Sequence, residues 1–272
     1  MTTISVVVPS LNDARFLENC LAALARQTRP ADEIVVVDNG SSDDTAEVGR
    51  AFGARIVDEP LRGVWPATAA GLDAATGEIL ARLDADSVPA PGWLAEVERR
   101  MTAPDRPDAI SGGASFYGGT AAVRWIARNV YIGGYFLVIG WLLGHPPIFG
   151  SNYAIRADAW RAVRERTFRD RGDVHDDLDL SWWMQPGMRV VRDPALVVSV
   201  SARPFDTWSG LGRRVRIAFH TLAIEFRGWA PLERRRAHIA AQRAWRAERR
   251  AAMDAVGDGP EAAAEPGEPA GA

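Results

Sequence analysis

The stretch Glu78-Ile79-Leu80-Ala81-Arg82-Leu83-Asp84-Ala85-Asp86 reads as a short buried strand that ends in two carboxylates. Outward from it, strands and helices alternate. Residues 67–75 before it and 91–101 after it have helical character, and residues 55–57, 34–37 and 4–8 form three earlier strands. Between residues 4–8 and 34–37, Leu17, Cys20, Leu21 and Leu24 recur at helical spacing behind Asn12 and Asp13, either of which suits an N-cap. Ser41-Ser42-Asp43-Asp44 opens another helix, with acids in its first turn, where the helix dipole favours negative charge. Such alternation predicts an α/β fold with a mostly parallel, doubly wound sheet. Ligands on such sheets sit at the carboxyl ends of the strands. Two strands here end in carboxylates, at Asp38 and at Asp84-Ala85-Asp86.

Composition closes off other classes. A chain of 272 residues can bury most of its apolar surface without covalent staples. A single cysteine, Cys20, excludes a disulfide scaffold and a Cys-based zinc site, and His145, His175, His220 and His238 are too scattered in sequence for a His-rich cluster. All 32 basic residues are Arg, which rules out Schiff-base chemistry and a P-loop lysine. The N-terminus lacks the basic and long apolar regions of a signal peptide, so a cytoplasmic chain is expected. Residues 254–272 hold five acids and no Arg and are too poor in apolar bulk to pack, so a disordered acidic tail is expected there.

The second half reads differently. Residues 121–143 are a long apolar, aromatic-rich helical candidate; 149–156 and 196–200 look extended; 157–166 and 178–185 look helical. Residues 130–143 carry no charge for fourteen positions, short of the ~20 that a membrane span needs, so a buried or interfacial helix is expected. Residues 212–227 and 232–253 are basic amphipathic helices. In the first, Arg213, Arg214 and Arg216 stand beside Ile217, Phe219, Leu222 and Phe226. That pattern suits an anionic membrane surface, or a helix packed on the domain with Arg in solvent. Nucleic acid is not an expected partner, because aromatic interleaving is sparse and the net charge is −3.

Two motifs carry chemistry. In Asp84-Ala85-Asp86, two carboxylates at i and i+2 past a strand can point the same way, and hard oxygen ligands of that kind suit Mg2+ or Mn2+ bridged to a diphosphate. The same triplet fits a solvated turn with a helix-capping Asp, and Asp177-Leu178-Asp179 repeats the spacing. Position at a strand end favours the ligand reading. In Asp38-Asn39-Gly40-Ser41-Ser42-Asp43-Asp44-Thr45, Asn-Gly favours a tight turn. Asp38 there can accept a hydrogen bond from a base or a ribose hydroxyl, or can belong to a plain strand–turn–helix junction.

Taken with Ile4-Ser5-Val6-Val7-Val8-Pro9-Ser10-Leu11-Asn12 and with Gly71 through Asp86, in this order and spacing, these segments resemble the nucleotide-sugar half of family 2 glycosyltransferases, the large inverting group with the GT-A fold. The resemblance covers residues 1 to about 100. It continues more loosely, through Gly150-Ser151-Asn152-Tyr153-Ala154-Ile155-Arg156 and His175-Asp176-Asp177-Leu178-Asp179-Leu180, to about residue 205. It implies a GT-A domain over 1–205, with a nucleotide-sugar half at 1–100 and an acceptor half at 101–205, followed by the basic helices over 206–253. By the same resemblance, Pro9, Ser10 and Asn12 line the nucleotide pocket and Asp38 binds the base. Asp84 sits near ribose and metal, and Asp86 holds Mg2+ or Mn2+ on the diphosphate. Ser151 and Asn152 belong to the acceptor side. Of the acidic pair Asp176-Asp177, Asp177 is the base. Arg203 is a candidate helper toward the leaving diphosphate.

The resemblance implies transfer of a sugar, with inversion, from a nucleoside diphosphate sugar to a hydroxyl acceptor, with a lipid-linked or cell-envelope acceptor as the extended expectation. The family's Arg-Asn pair is replaced here by Thr68-Ala69, with Arg62 nearby in sequence. The Gln-x-x-Arg-Trp element of processive synthases is missing, which favours transfer of a single sugar. A peripheral place at the inner face of the plasma membrane is the matching location. Two rivals stand beside this reading. A nucleotidyltransferase would want a Gly-rich loop with a basic residue near the N-terminus, which is absent. A silent sugar-nucleotide or membrane-binding scaffold would have no need of intact Asp86 and Asp177.

Overall fold

The β-branched run at the N-terminus forms strand β1 (Ile4–Ser10), whose Val6, Val7 and Val8 are all fully buried. Burial of successive residues means that both faces of the strand are covered, as in a parallel sheet packed between helices. The computed structural model describes residues 2–203 and 208–257. Strand β1 is followed by α1 (Ala14–Leu24), β2 (Glu33–Asp38), α2 (Thr45–Ala51), β3 (Arg55–Asp58), α3 (Val64–Ala74) and β4 (Ile79–Leu83). These four strands are parallel and lie in the order β3-β2-β1-β4. The register pairs Ser10 with Asp38, so the expected donor residues come to one edge.

The sheet then turns mixed. Two short pieces, β5 (Val88–Pro89) and α4 (Trp93–Met101), lead to β6 (Ala109–Tyr117). Strand β7 (Asn152–Arg156) runs antiparallel between β4 and β6, and β8 (Val190–Ser201) runs parallel to β6 and antiparallel to β5. The full order is β3-β2-β1-β4-β7-β6-β8-β5. One apolar cluster on one face includes Leu17, Leu21, Leu94, Val97 and Phe136; the other face packs Trp65, Leu72, Trp160 and Val163. Helices α7 (Ala157–Val163), α8 (Asp176–Trp183), α9 (Trp208–Gly228) and α10 (Pro231–Gly257) complete the chain. The curled α/β sheet with flanking helices is the expected fold class. Strands β5 and β6 were not expected from sequence.

Three local expectations are corrected. First, Asn12 and Asp13 do not cap α1 by a side-chain hydrogen bond. The starts of α1 and α2 are stitched crosswise instead: Asp43 Oδ2 accepts from Ala14 N at 3.1 Å, and Asn12 Oδ1 accepts from Ser42 N at 2.8 Å. Asn12 adopts φ 52°, the left-handed region that Asn tolerates. Second, of the two expected settings for the apolar helix the buried one is set aside. The chargeless stretch is part of the expected 121–143 helix, a rod built of α5 (Ala121–Ile126), π-helical segments at Ala127–Ile132 and Tyr135–Ile139, and α6 (Gly140–Leu143). Gly144, at φ 78°, ends it. The rod is not a buried helix: only about 22% of its most apolar window is covered, and by length and composition its 23 residues are enough to cross a membrane. Third, α10 continues to Gly257, past the expected boundary at 253. The rest of the expected acidic tail, 258–272, and the expected domain boundary at 205–206 lie outside the described residues.

Candidate active site

Each side chain at the carboxyl edge of the sheet is brought there by strand register. Strand β4 ends at Leu83, so Asp84 emerges beside the end of β1. Because β7 runs antiparallel, Leu83 pairs with Asn152, and Ser151 is carried back to Asp84, whose Oδ2 accepts a hydrogen bond from the Ser151 hydroxyl. Asn152 turns inward. Its amide donates to Gly113 O and Leu196 O, both at 2.8 Å, and its Oδ1 accepts from Trp93 Nε1, so it serves as a strand tie. The paired ends of β6 and β8 bring Tyr117 and Arg203 to Asp86: the Tyr117 hydroxyl donates to Asp86 O at 2.8 Å, and Arg203 Nη2 lies 3.4 Å from Asp86 Oδ2. Arg203 also contacts Asp13 at 3.2 Å and stacks over Phe16 at 3.6 Å. Burial first, and Asp84 second, push the Asp86 carboxyl up to about 6, against the pull of Arg203.

At the neighbouring strand ends, Asp38 Oδ1 accepts from Ser41 N at 2.8 Å, closing the expected turn. Asn39 holds the loop after β3, donating to Glu59 O and Leu61 O and accepting from Gly63 N, all at 2.8 Å. That loop delivers Arg62 to the turn, where its Nη2 donates to Gly40 O at 2.9 Å. Pro9 pairs with Val37 in register, and Ser10 Oγ is buried with no hydrogen-bond partner among the described residues. Thr68 is buried 3.5 Å from Asp176, away from that turn.

Asp176 and Asp177 begin α8, where the dipole favours negative charge. They are linked to the donor edge by Arg82, a fully buried guanidinium whose Nη2 lies 2.8 Å from Asp84 and 3.3 Å from Asp176. Asp177 Oδ2 accepts from Gly150 N at 2.9 Å, and Oδ1 lies 2.7 Å from His175 Nδ1. A Cβ on Gly150 would stand 3.1 Å from Asp177 and 3.2 Å from Arg82, so this close approach is built for glycine. Burial raises the Asp177 carboxyl, but His175, the Gly150 amide and Arg82 outweigh it and hold the group below the usual range. Burial dominates at Asp176 and raises it despite Arg82. His175 is raised despite its burial, chiefly by Asp177. The ligand atoms of His175, Asp176 and Asp177 lie within 4.8 Å of one another, a spacing that could hold a cation. The contacts to His175, Gly150 and Arg82 already engage these carboxylates.

Asp179 is engaged elsewhere. Its Oδ2 accepts from Trp65 Nε1 at 2.6 Å and from Phe168 N at 2.7 Å. Burial raises its carboxyl despite these bonds, and Glu225 of α9 is coupled to it. Burial and Asp179 together push the Glu225 carboxyl up to about 10. Below α8, the buried guanidinium of Arg234 in α10 donates to Trp182 O, Leu143 O and Ser181 O at 2.7–2.9 Å. One side chain therefore caps the carboxyl ends of both α8 and the Ala121–Leu143 rod.

A mixed sheet of this order, with acidic pairs at the end of β4 and the start of α8, is the GT-A fold. Residues 5–164 match the family described as glycosyl transferase family 2, more than half of the chain, and the chain belongs to that family. It is 35% identical over 135 residues to the glycosyltransferase AglE of Haloferax volcanii, covering 45% of this chain and 43% of that protein. It is 38% identical over 88 residues to a PGL/p-HBAD biosynthesis glycosyltransferase of Mycobacterium tuberculosis, covering 30% and 34%. The chain thus spans less than half the length of these relatives. Among solved structures, the mannosyltransferase PcManGT from Pyrobaculum calidifontis, in complex with GDP-Man and Mn2+, matches with TM-score 0.60 at 23% identity, over 94% of this chain and 79% of that one. Glucosyl-3-phosphoglycerate synthase from Mycobacterium tuberculosis, with Mn2+, UDP and its product, matches with TM-score 0.54 at 24% identity, over 82% and 80%. At that identity these structures speak to the fold.

Arg82, His175, Tyr117 and Arg234 were not singled out as site residues from sequence. Arg82 had a visible signal, since a charge inside an apolar strand two positions before Asp84 shares that residue's face. Tyr117 and Arg234 act through partners far away in sequence and leave no local pattern, whereas His175 stands only two positions before Asp177.

Proposed function

We propose that the chain transfers a single sugar, with inversion, from a nucleoside diphosphate sugar to a hydroxyl acceptor of the lipid-linked or cell-envelope class. The observation that carries this is the contact of Arg82 with both Asp84 and Asp176, which joins a donor-side acidic pair to an acceptor-side one. Asp84 and Asp86 offer hard oxygen donors at a strand end, and the raised carboxyl of Asp86 is short of positive charge, so the pair fits Mg2+ or Mn2+. Such an ion supplies charge neutralisation for the departing diphosphate. Pro9, Ser10, Asn12 and Asp38 form the nucleotide cradle, with Arg62 over the turn. Arg203 adds positive charge beside Asp86. Asp177, kept ionised by His175 and the Gly150 amide, takes the proton from the acceptor hydroxyl as its oxygen bonds to the anomeric carbon. Ser151 fixes Asp84 between the two halves. Exposed Arg214 and Arg216 on α9 favour an anionic membrane surface as the setting.

The test is turnover of a panel of UDP- and GDP-linked sugars with Mn2+, with the anomeric configuration of the product read by NMR. Transfer with inversion is expected. Retention of configuration, or no consumption of any donor, overturns the reading.

A further inference from the structure

Among the described residues, most of the outer face of the Ala121–Leu143 rod is uncovered. Leu137 is 74% exposed and Trp125 and Trp141 are each 60% exposed, with Ile126, Val130 and Val138 beside them. The opposite face is fixed to the domain. Ala127, Ile132, Phe136 and Leu143 are buried, and the Tyr135 hydroxyl donates to Ile148 O at 2.8 Å. At the carboxyl end of the rod lies a groove of about 380 Å³, bordered by Phe136, Trp141, Arg192 and Arg235. Its two guanidinium groups are pre-set on aromatic rings of the rod: Arg192 lies 4.1 Å from the Phe136 centroid and Arg235 lies 4.9 Å from that of Trp141. Arg235 Nε also donates to Trp141 O at 2.7 Å.

We propose that this face and groove form a docking surface for an anionic phospholipid bilayer, with the rod lying flat at the interface and the groove taking a lipid phosphate. Trp residues near both ends of an apolar helix are the pattern of an interfacial segment, where the ring is buried and its N–H stays wet. The charge is complementary: no Asp or Glu occurs between Asp108 and Asp158, whereas Arg124, Arg128, Arg192 and Arg235 border the face. A second copy of the chain is a poor occupant, because a two-fold contact would set this all-positive border against itself. A crossing helix is also a poor fit, since the inner face would have to abandon its packing on the sheet. The inference rests on the proposed lipid-linked acceptor.

The test is co-sedimentation of the full chain with phosphatidylcholine vesicles and with vesicles containing phosphatidylglycerol, at low and high salt. Binding to the anionic vesicles that weakens with salt is expected. The double substitution Leu137→Asp with Trp141→Asp should abolish it. Arg192→Ala with Arg235→Ala should weaken it by about thirtyfold, on the usual contribution of each basic residue near an anionic surface. Both variants should keep the wild-type circular dichroism spectrum and donor turnover without vesicles. Equal binding by wild type and the Asp variant overturns the proposal, as does binding to neither vesicle. Concentration-dependent dimerisation of wild type that the Asp variant loses assigns the face to a second copy and overturns it as well. Loss of donor turnover in wild type, with vesicle binding intact, defeats the proposed function and leaves this inference standing.

Discussion

Arg82 Nη2 lies 3.3 Å from the carboxylate of Asp176, joining strand β4 to helix α8 through two fully or nearly fully buried groups. A buried cation among Asp84, Asp176 and Asp177 is less a source of net stability than a condition for burying the acids at all.

Arg82→Met should therefore destabilise the fold by about 3–5 kcal/mol, the scale for removing one partner of a buried ion pair. Arg82→Lys should cost less. With the guanidinium gone, the acids gain higher folded-state pKa values, so the loss is greatest at neutral pH and shrinks as pH falls and they protonate. Urea unfolding at pH 7 and pH 5 checks this; a loss that grows on acidification would contradict it.

Asp177→Asn keeps the acceptor for the Gly150 amide and loses the basic oxygen. Turnover should fall by roughly 10²–10⁴-fold, the scale for a positioned base, with donor affinity unchanged. Steady-state kinetics beside calorimetric donor titration separates the two effects. Asp179→Asn should act mainly on stability, since Asp179 is taken up by Trp65, Phe168 and Glu225. A dead Asp176→Asn beside an active Asp177→Asn would move the base to the other carboxylate.

Asp86→Ala should remove the metal dependence of nucleotide binding. Titration with UDP and with GDP, each with and without Mn2+, reads this directly. An unchanged Mn2+ enhancement in the variant would take Asp86 out of the metal site.

Glu225→Gln tests whether Glu225 is protonated in the fold. Glu225 is raised to about 10 in the fold, against about 4.3 for an unperturbed glutamate. Between these values the folded chain binds a proton that the unfolded chain lacks, so this group's contribution to stability falls as pH rises, by at most about 1.4 kcal/mol per unit. Gln keeps a donor for Asp179 and carries no titration. The variant should gain on wild type from pH 5 to pH 8 in thermal unfolding. Parallel pH profiles would show that Glu225 is not protonated in the fold.

The donor half was legible because its signals are local. Apolar runs, helical spacing and the turns after Asp38 and Leu83 each fit within a few residues, and parallel pairing brings their ends to one edge. The acceptor half depends on long-range pairing. Nothing within residues 109–117 announces a strand that must sit between β7 and β8. The apolar helix over 121–143 was legible in extent but was expected as buried or interfacial, because Arg124 and Arg128 precede its chargeless stretch. Their long side chains can instead lie along an exposed helix with the charge in solvent. Asp13 was legible as a helix start but not as the counter-charge to Arg203, which is 190 residues away.

The position of Arg234 also sets an order of assembly. Strands β1 to β4 and their helices find partners within the first 83 residues, so the nucleotide cradle can close while the ribosome is still making the rest. The carboxyl ends of α8 and of the rod instead wait for a guanidinium encoded 91 residues after Leu143. Until that residue emerges, Trp182 O and Leu143 O at the two helix ends lack their guanidinium donor. A nascent chain would hold a formed nucleotide cradle well before it held a formed acceptor side, so the two halves mature in the order in which a donor and then an acceptor would be needed.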